Sequence, residues 1–165
     1  MTIALGVDSG SLTTGYGIVL AQGNVHRALD YGAIRNDAKT PHPERLALIF
    51  RRLRDLIRQF RPDLLALEGV FVSQNIQSAL KLGQVRGAVM VAAAEEGVPV
   101  VELAPNAVKA AVTGHGHAEK AQVQFMVKAI LGLPSIPKPH DAADALALAI
   151  CALNRTPHPF PRPHP

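Results

Sequence analysis

Two of the apolar runs along this chain stop abruptly at an acid. Ile3-Ala4-Leu5-Gly6-Val7 ends at Asp8, and Leu64-Leu65-Ala66-Leu67 ends at Glu68. A short continuous apolar run bounded by turn residues reads as a strand buried on both faces, the kind found in parallel sheets. The flanking turn residues are Ser9-Gly10-Ser11 after the first run and Pro62-Asp63 before the second. Residues 16–20 and 26–34 alternate, which predicts two more strands joined by a hairpin at Gln22-Gly23-Asn24. Residues 98–103 predict a fifth.

Elsewhere the rhythm is helical. Leu46, Ile49, Phe50, Leu53, Ile57 and Phe60 mark an amphipathic helix between Pro43 and Arg61. Residues 75–96 predict a second helix, apolar over much of its circumference at Ala79, Leu80, Leu82, Val85, Ala88, Val89, Val91 and Ala92. A helix wet on one side does not need that much apolar surface, so part of it is expected to meet another subunit. A short helix over 105–112 should end at Gly114-His115-Gly116. Val123, Met126, Val127, Ile130 and Leu131 give another, and 141–154 the last. From Thr156 to Pro165 the chain alternates proline and is expected to be extended and disordered. The order predicts an α/β fold: a mixed five-stranded sheet with helices on both faces, and the strands ending in Asp8 and Glu68 as central neighbours. One domain over residues 1–154 and a Pro-rich tail over 155–165 account for the chain.

Parallel strands deliver their terminal residues to the carboxyl edge of the sheet, where such folds place their sites. Asp141 and Asp144, at i and i+3, share a helix face. If that face docks on the two strand ends, four carboxylates converge, and like charges raise one another's pKa unless cations neutralise them. All-oxygen donors suit Mg²⁺ or Mn²⁺, and two such ions about 3.5–4 Å apart serve many nucleases and polymerases. Each acid alone has a plainer reading. Asp8 before Ser-Gly forms turns, Glu68 could be solvated at a strand end, and the two helical acids complement a helix dipole. Asp144 fits that last reading poorly, because it is embedded among alanines and leucines. No Ser/His/Asp arrangement is visible.

Composition narrows the field. The chain has 165 residues, 48% of them hydrophobic, which suits one globular domain. No apolar run reaches about 18 residues and no basic lead precedes the first strand, so neither a membrane span nor a signal peptide is expected. The lone Cys151 cannot form an intrachain disulfide and fits a core position in a reducing cytoplasm. The net charge is +4 with a pI near 9.6. With the four acids neutralised, nine would remain of 13 against 17 basic residues. An acidic pit in a basic surface points to a nucleic-acid partner.

Taken together these residues resemble the RuvC-type Holliday-junction resolvases, which have a ribonuclease-H-like fold. The similarity runs from Thr2 to about Leu153. It rests on Leu5-Gly6-Val7-Asp8-Ser9-Gly10-Ser11, Thr14-Gly15-Tyr16-Gly17, Glu68-Gly69-Val70-Phe71 and Ser78-Ala79-Leu80-Lys81-Leu82-Gly83-Gln84. Further on come Lys109, Ala118-Glu119-Lys120 with Gln122-Val123-Gln124, and Asp141-Ala142-Ala143-Asp144-Ala145-Leu146-Ala147. The resemblance implies a Mg²⁺-dependent homodimeric endonuclease, with Mn²⁺ as a substitute ion. Such enzymes nick two opposed strands of a four-way DNA junction symmetrically during recombinational repair, alongside a branch-migration motor. It implies Asp8, Glu68, Asp141 and Asp144 as catalytic metal ligands, and Lys109 and Lys120 as phosphate contacts. Phe71, three residues past Glu68, is expected to stack on or wedge between bases, with core packing as the alternative.

The chain departs from the family pattern at Ser9, where proline is common, and at Gly69, where a bulkier polar residue is frequent. His140 precedes Asp141, and some relatives carry a histidine in place of the first helix acid. His140 is therefore a near-site candidate, sharing a face with Asp144 at i and i+4. Arg51, Arg54, Arg58 and Arg61 read as a solvated stripe, and His115 and His117 as loop residues without a third ligand. Two other classes share part of this pattern. Asp8-x-Gly10-Ser11-x-x-Thr14 also looks like the first phosphate loop of actin-like ATPases, which need a second domain. A non-catalytic junction binder would have no use for four acids.

Overall fold

The computed structural model describes residues 1–69 and 74–156. Three strands come first: β1 (Thr2–Asp8), β2 (Thr13–Gln22) and β3 (Val25–Arg35). Then α1 (His42–Phe60), β4 (Leu64–Glu68), α2 (Ile76–Glu95) and β5 (Val100–Leu103) alternate. Helices α3 (Pro105–Thr113), α4 (Lys120–Leu131) and α5 (His140–Arg155) follow. The sheet order is β3-β2-β1-β4-β5. β1 is antiparallel to β2 and parallel to β4, so the two acid-ended strands are neighbours at the centre, as their apolar runs predict.

Alternation assigns each strand residue to a face. Ala4, Leu64 and Ala66 pack with α3, α4 and α5, whereas Leu5, Val7, Leu65 and Leu67 pack with α1 and α2. Helices therefore cover both faces. Continuing the same alternation places Asp8 and Glu68 on the α5 side. Both stand one residue beyond the last β1–β4 pair, Val7 with Leu67.

The hairpin strands are longer than the pattern suggests, because Gly15 and Gly17 weaken the strand signal. Those glycines serve a different contact. A Cβ added at Gly15 would sit 2.1 Å from the carbonyl oxygen of Asp141, and one at Gly6 would sit 1.9 Å from that of Ala145. Helix α5 thus lies with its backbone directly on β1 and β2, which only glycine permits. β5 is shorter than 98–103, since Pro99 has no N–H for the ladder. Its carbonyl still accepts from Leu65 N–H at 2.9 Å.

The inner stripe of α2 is Val85, Arg86, Val89, Ala92 and Ala93. Left outward are Ile76, Leu80 and Val91, which are 75%, 63% and 51% exposed. The surplus apolar face expected for this helix is real, but Val89 belongs to the core and is no part of it. Cys151 is buried. Among the described residues no helix is long and apolar enough to cross a membrane.

Candidate active site

Three elements bring acids to the carboxyl edge of the sheet. β1 supplies Asp8, β4 supplies Glu68, and α5 arrives from the glycine-lined face with Asp144 and Asp141. On α5 every residue from Ala142 to Leu153 is buried except Asp144, the one break in that run. Asp8, Glu68 and Asp144 line a single cleft of about 230 Å³, with Lys109 and Lys120 on its other wall. Asp141 does not line it. It packs over Gly15, the strand partner of Asp8, where its charge still reaches that carboxyl.

Electrostatics couple these groups. The Asp8 carboxyl is pushed up to about 7, first by burial and then by the charges of Asp144, Asp141 and Glu68, with Lys120 partly opposing. Glu68 is more open to solvent, yet it too is raised, by partial burial first and Asp144 second. Lys109, Arg86 and Lys120 pull it back down. Lys120 Nζ stands 3.3 Å from Asp144 Oδ2, and its ammonium supplies positive charge to the acids. Among the described residues no three His, Cys, Asp or Glu side chains draw together into a ready-made cation nest. The acids sense one another across the cleft without closing on a common point.

The remaining sequence candidates fall out as follows. His140 is exposed, and its Nδ1 lies 2.9 Å from Nε2 of the buried Gln124 on α4. Its ring is tied to that neighbour and does not line the cleft. Phe71 lies outside the described residues. Arg51, Arg58 and Arg61 are exposed as a solvated stripe requires, Arg58 pairing with Glu96 at 2.8 Å, whereas Arg54 is half-buried over the Phe50 ring at 5.5 Å. His115 sits in a turn where its N–H donates to Thr113 Oγ1.

Sequence reasoning missed Arg86. It is buried, pairs with Glu102 and donates to the backbone carbonyl of Glu68. With Asp8, Ser9 and Glu68 it lines a second cleft of about 260 Å³ adjoining the first. The available signal was an arginine at an inward helical position between Val85 and Val89, where an aliphatic residue is the norm.

Comparison with known proteins agrees with this architecture. The family model described as crossover junction endodeoxyribonuclease RuvC matches residues 4–152. A protein of that name from Chlorobium phaeovibrioides is 51% identical over 93% of this chain and 82% of its own length. One from Citrifermentans bemidjiense is 54% identical over 90% of each. The structure of Thermus thermophilus RuvC in complex with Holliday junction substrate superposes with a TM-score of 0.88. It is 38% identical and covers 92% of both chains. The glycine-seated helix, the paired strand ends and these matches over nearly the whole chain lead to one conclusion: the chain belongs to the RuvC family of crossover junction endodeoxyribonucleases.

Proposed function

We propose that this chain resolves four-way DNA junctions by paired symmetric nicks, using divalent cations held by Asp8, Glu68, Asp141 and Asp144. The observation that carries the cation site is the one cleft lined by Asp8, Glu68 and Asp144, with Asp141 near enough for its charge to reach Asp8. The donor set fits Mg²⁺, with Mn²⁺ as a substitute. It is all oxygen, three of its four acids line one cleft with Asp141 beside it, and its mutual repulsion is what a bound cation would relieve. When bound, such ions supply Lewis acidity toward a phosphodiester and lower the pKa of a nearby water.

The chain's own residues do the rest. Asp8, whose carboxyl feels the charges of the other three acids, would ionise fully as a cation binds. Lys109 and Lys120 present ammonium groups along the cleft wall where phosphate oxygens would lie. Attack of water in line with the 3′ oxygen leaves a 5′-phosphate and a 3′-hydroxyl, ends that a ligase reseals. Phe71 is read as the aromatic that stacks at the crossover, just past Glu68 in the chain.

Two opposed nicks need two sites related by a two-fold axis, and a homodimer supplies them. The outward face of α2, with Ile76, Leu80 and Val91 beside Gly83 and Gly87, supports that assembly. A branch-migration motor and a cytoplasmic setting complete the reading. Residues 1–154 would be the nuclease domain and 155–165 a tail.

The test is nicking of a synthetic four-way junction beside linear duplex, with and without Mg²⁺. Asp8→Asn and Glu68→Gln should each abolish cleavage and leave junction binding intact or slightly tighter, because negative charge near phosphate is removed. Retention of more than a small fraction of wild-type cleavage in both variants would overturn the site.

A further inference from the structure

An arginine is seldom buried unless its charge and donors are all used. Arg86 is 6% exposed on the inner stripe of α2. Its Nη2 lies 2.9 Å from Glu102 Oε2 on β5, and its Nη1 donates to the backbone carbonyl of Glu68 at the end of β4. On the other side of the same peptide, Gly69 N–H donates to the carbonyl of Leu103 at 2.7 Å. The planar Glu68–Gly69 peptide is therefore held at both its C=O and its N–H. Fixing that plane fixes ψ of Glu68, and with it the course of the chain on which the carboxylate is mounted.

We propose that Arg86 is a positioning residue for Glu68, clamping the last peptide of β4 so that the carboxylate stays aimed into the cleft beside Asp8. This rests on the reading of Glu68 as a cation ligand given above. A purely structural ion pair explains Arg86 less well. Glu102 is half exposed, so its attraction is screened by water, and an apolar side chain would fill the helix position without burying a charge. What remains is the contact to the Glu68 carbonyl, which no apolar residue can make. The guanidinium also faces the acids across the cleft that Asp8, Ser9 and Glu68 line, and its charge favours the ionised form of Glu68.

The experiment uses the full chain with Arg86→Met, Arg86→Lys and the double variant Arg86→Met with Glu102→Leu, beside Glu68→Gln. Read out are junction cleavage, junction binding, thermal melting, and Mn²⁺ binding by calorimetry without DNA. The double variant removes both charges at once and is the one expected to melt near wild type. It should nevertheless bind Mn²⁺ and cleave on the order of ten- to a hundred-fold less well, as when the support of a metal ligand is lost. Arg86→Lys, which still reaches the carbonyl with one ammonium, should recover part of both. Junction binding should stay within about two-fold and keep its salt dependence, since a phosphate contact would change both. A folded double variant with wild-type Mn²⁺ affinity and cleavage, while Glu68→Gln is inactive, would overturn the role of Arg86 alone. Wild-type behaviour of Glu68→Gln would instead remove the site beneath it. Weakened junction binding with a shallower salt slope would make Arg86 a DNA contact and overturn the positioning role.

Discussion

The two faces of the sheet are covered by different means. On the α1/α2 face, large aliphatic side chains separate the layers: Leu5, Val7, Leu65 and Leu67 meet Ile49, Leu53, Val85 and Val89. On the α5 face, strand backbone meets helix backbone at Gly6 and Gly15. Spacing by side chains gives cohesion and tolerates small losses of volume, because neighbours relax into part of the space. Direct backbone contact leaves nothing to relax, but it brings a helix close enough to the strand ends to share a carboxylate cleft. Asp8, Glu68 and Asp144 line that cleft, and Asp141 stands at its margin. The opposite face leaves apolar side chains on the outward side of α2 exposed.

The sharpest way to break this contrast is to add one side chain on the glycine side. Gly15→Val pushes against the Asp141 carbonyl and should displace the start of α5. A displacement of about 1 Å can lower a reaction on the order of a hundred-fold, so junction cleavage should collapse. A Gly15→Val variant that melts and cleaves like the parent would show that the close contact is not required. On the other face, Leu53→Ala should lower unfolding free energy by about 2–5 kcal/mol. Cleavage per folded molecule should hardly change, and a loss of turnover without a loss of stability would erase the distinction.

A smaller effect should come from the outward side of α2. Leu80→Glu puts a charge on a 63% exposed position and should leave melting nearly unchanged while shifting the protein to monomers in sedimentation. Val89 is fully buried, so a charge there would unfold the chain and say nothing about assembly. If Leu80→Glu remains dimeric, the interface lies elsewhere.

The finest probe is pH. The folded Asp8 carboxyl is pushed up to about 7, above the ordinary aspartate value of 3.8. Between those values the native state holds a proton that the unfolded chain has released, so stability must fall as pH rises through that window. Without divalent cation, melting should therefore be higher at pH 5 than at pH 8. Mg²⁺ should restore much of the difference at pH 8 by binding the ionised form. Asp8→Asn should remove most of this slope; an unchanged slope would mean that Asp8 does not carry it.

Much of this was legible in local pattern. The runs ending at Asp8 and Glu68 announced two central strands, and the period of residues 46–60 announced α1. Asp144 stood out as an acid inside an apolar helix. Other features had no local trace. Gly15 and Gly17 read as breaks in a strand until α5 is seen lying on them. Val89 and Leu80 look alike in a helix apolar on most sides, and nothing near them says which turns inward. Arg86 left only a partial trace, its place between Val85 and Val89, because its partners, Glu68 and Glu102, lie on two different strands.

The strands, the helices and the candidate acids could be read along the chain, because period and turn chemistry act between residues a few positions apart. That α5 lies on Gly6 and Gly15, that Asp141 stands beside the cleft lined by the other three acids, and that α2 turns Arg86 onto the peptide of Glu68 came from packing between distant elements. Those outcomes depend on how closely whole elements approach one another. That distance is set by contacts between residues far apart in the chain, where no repeating pattern records it.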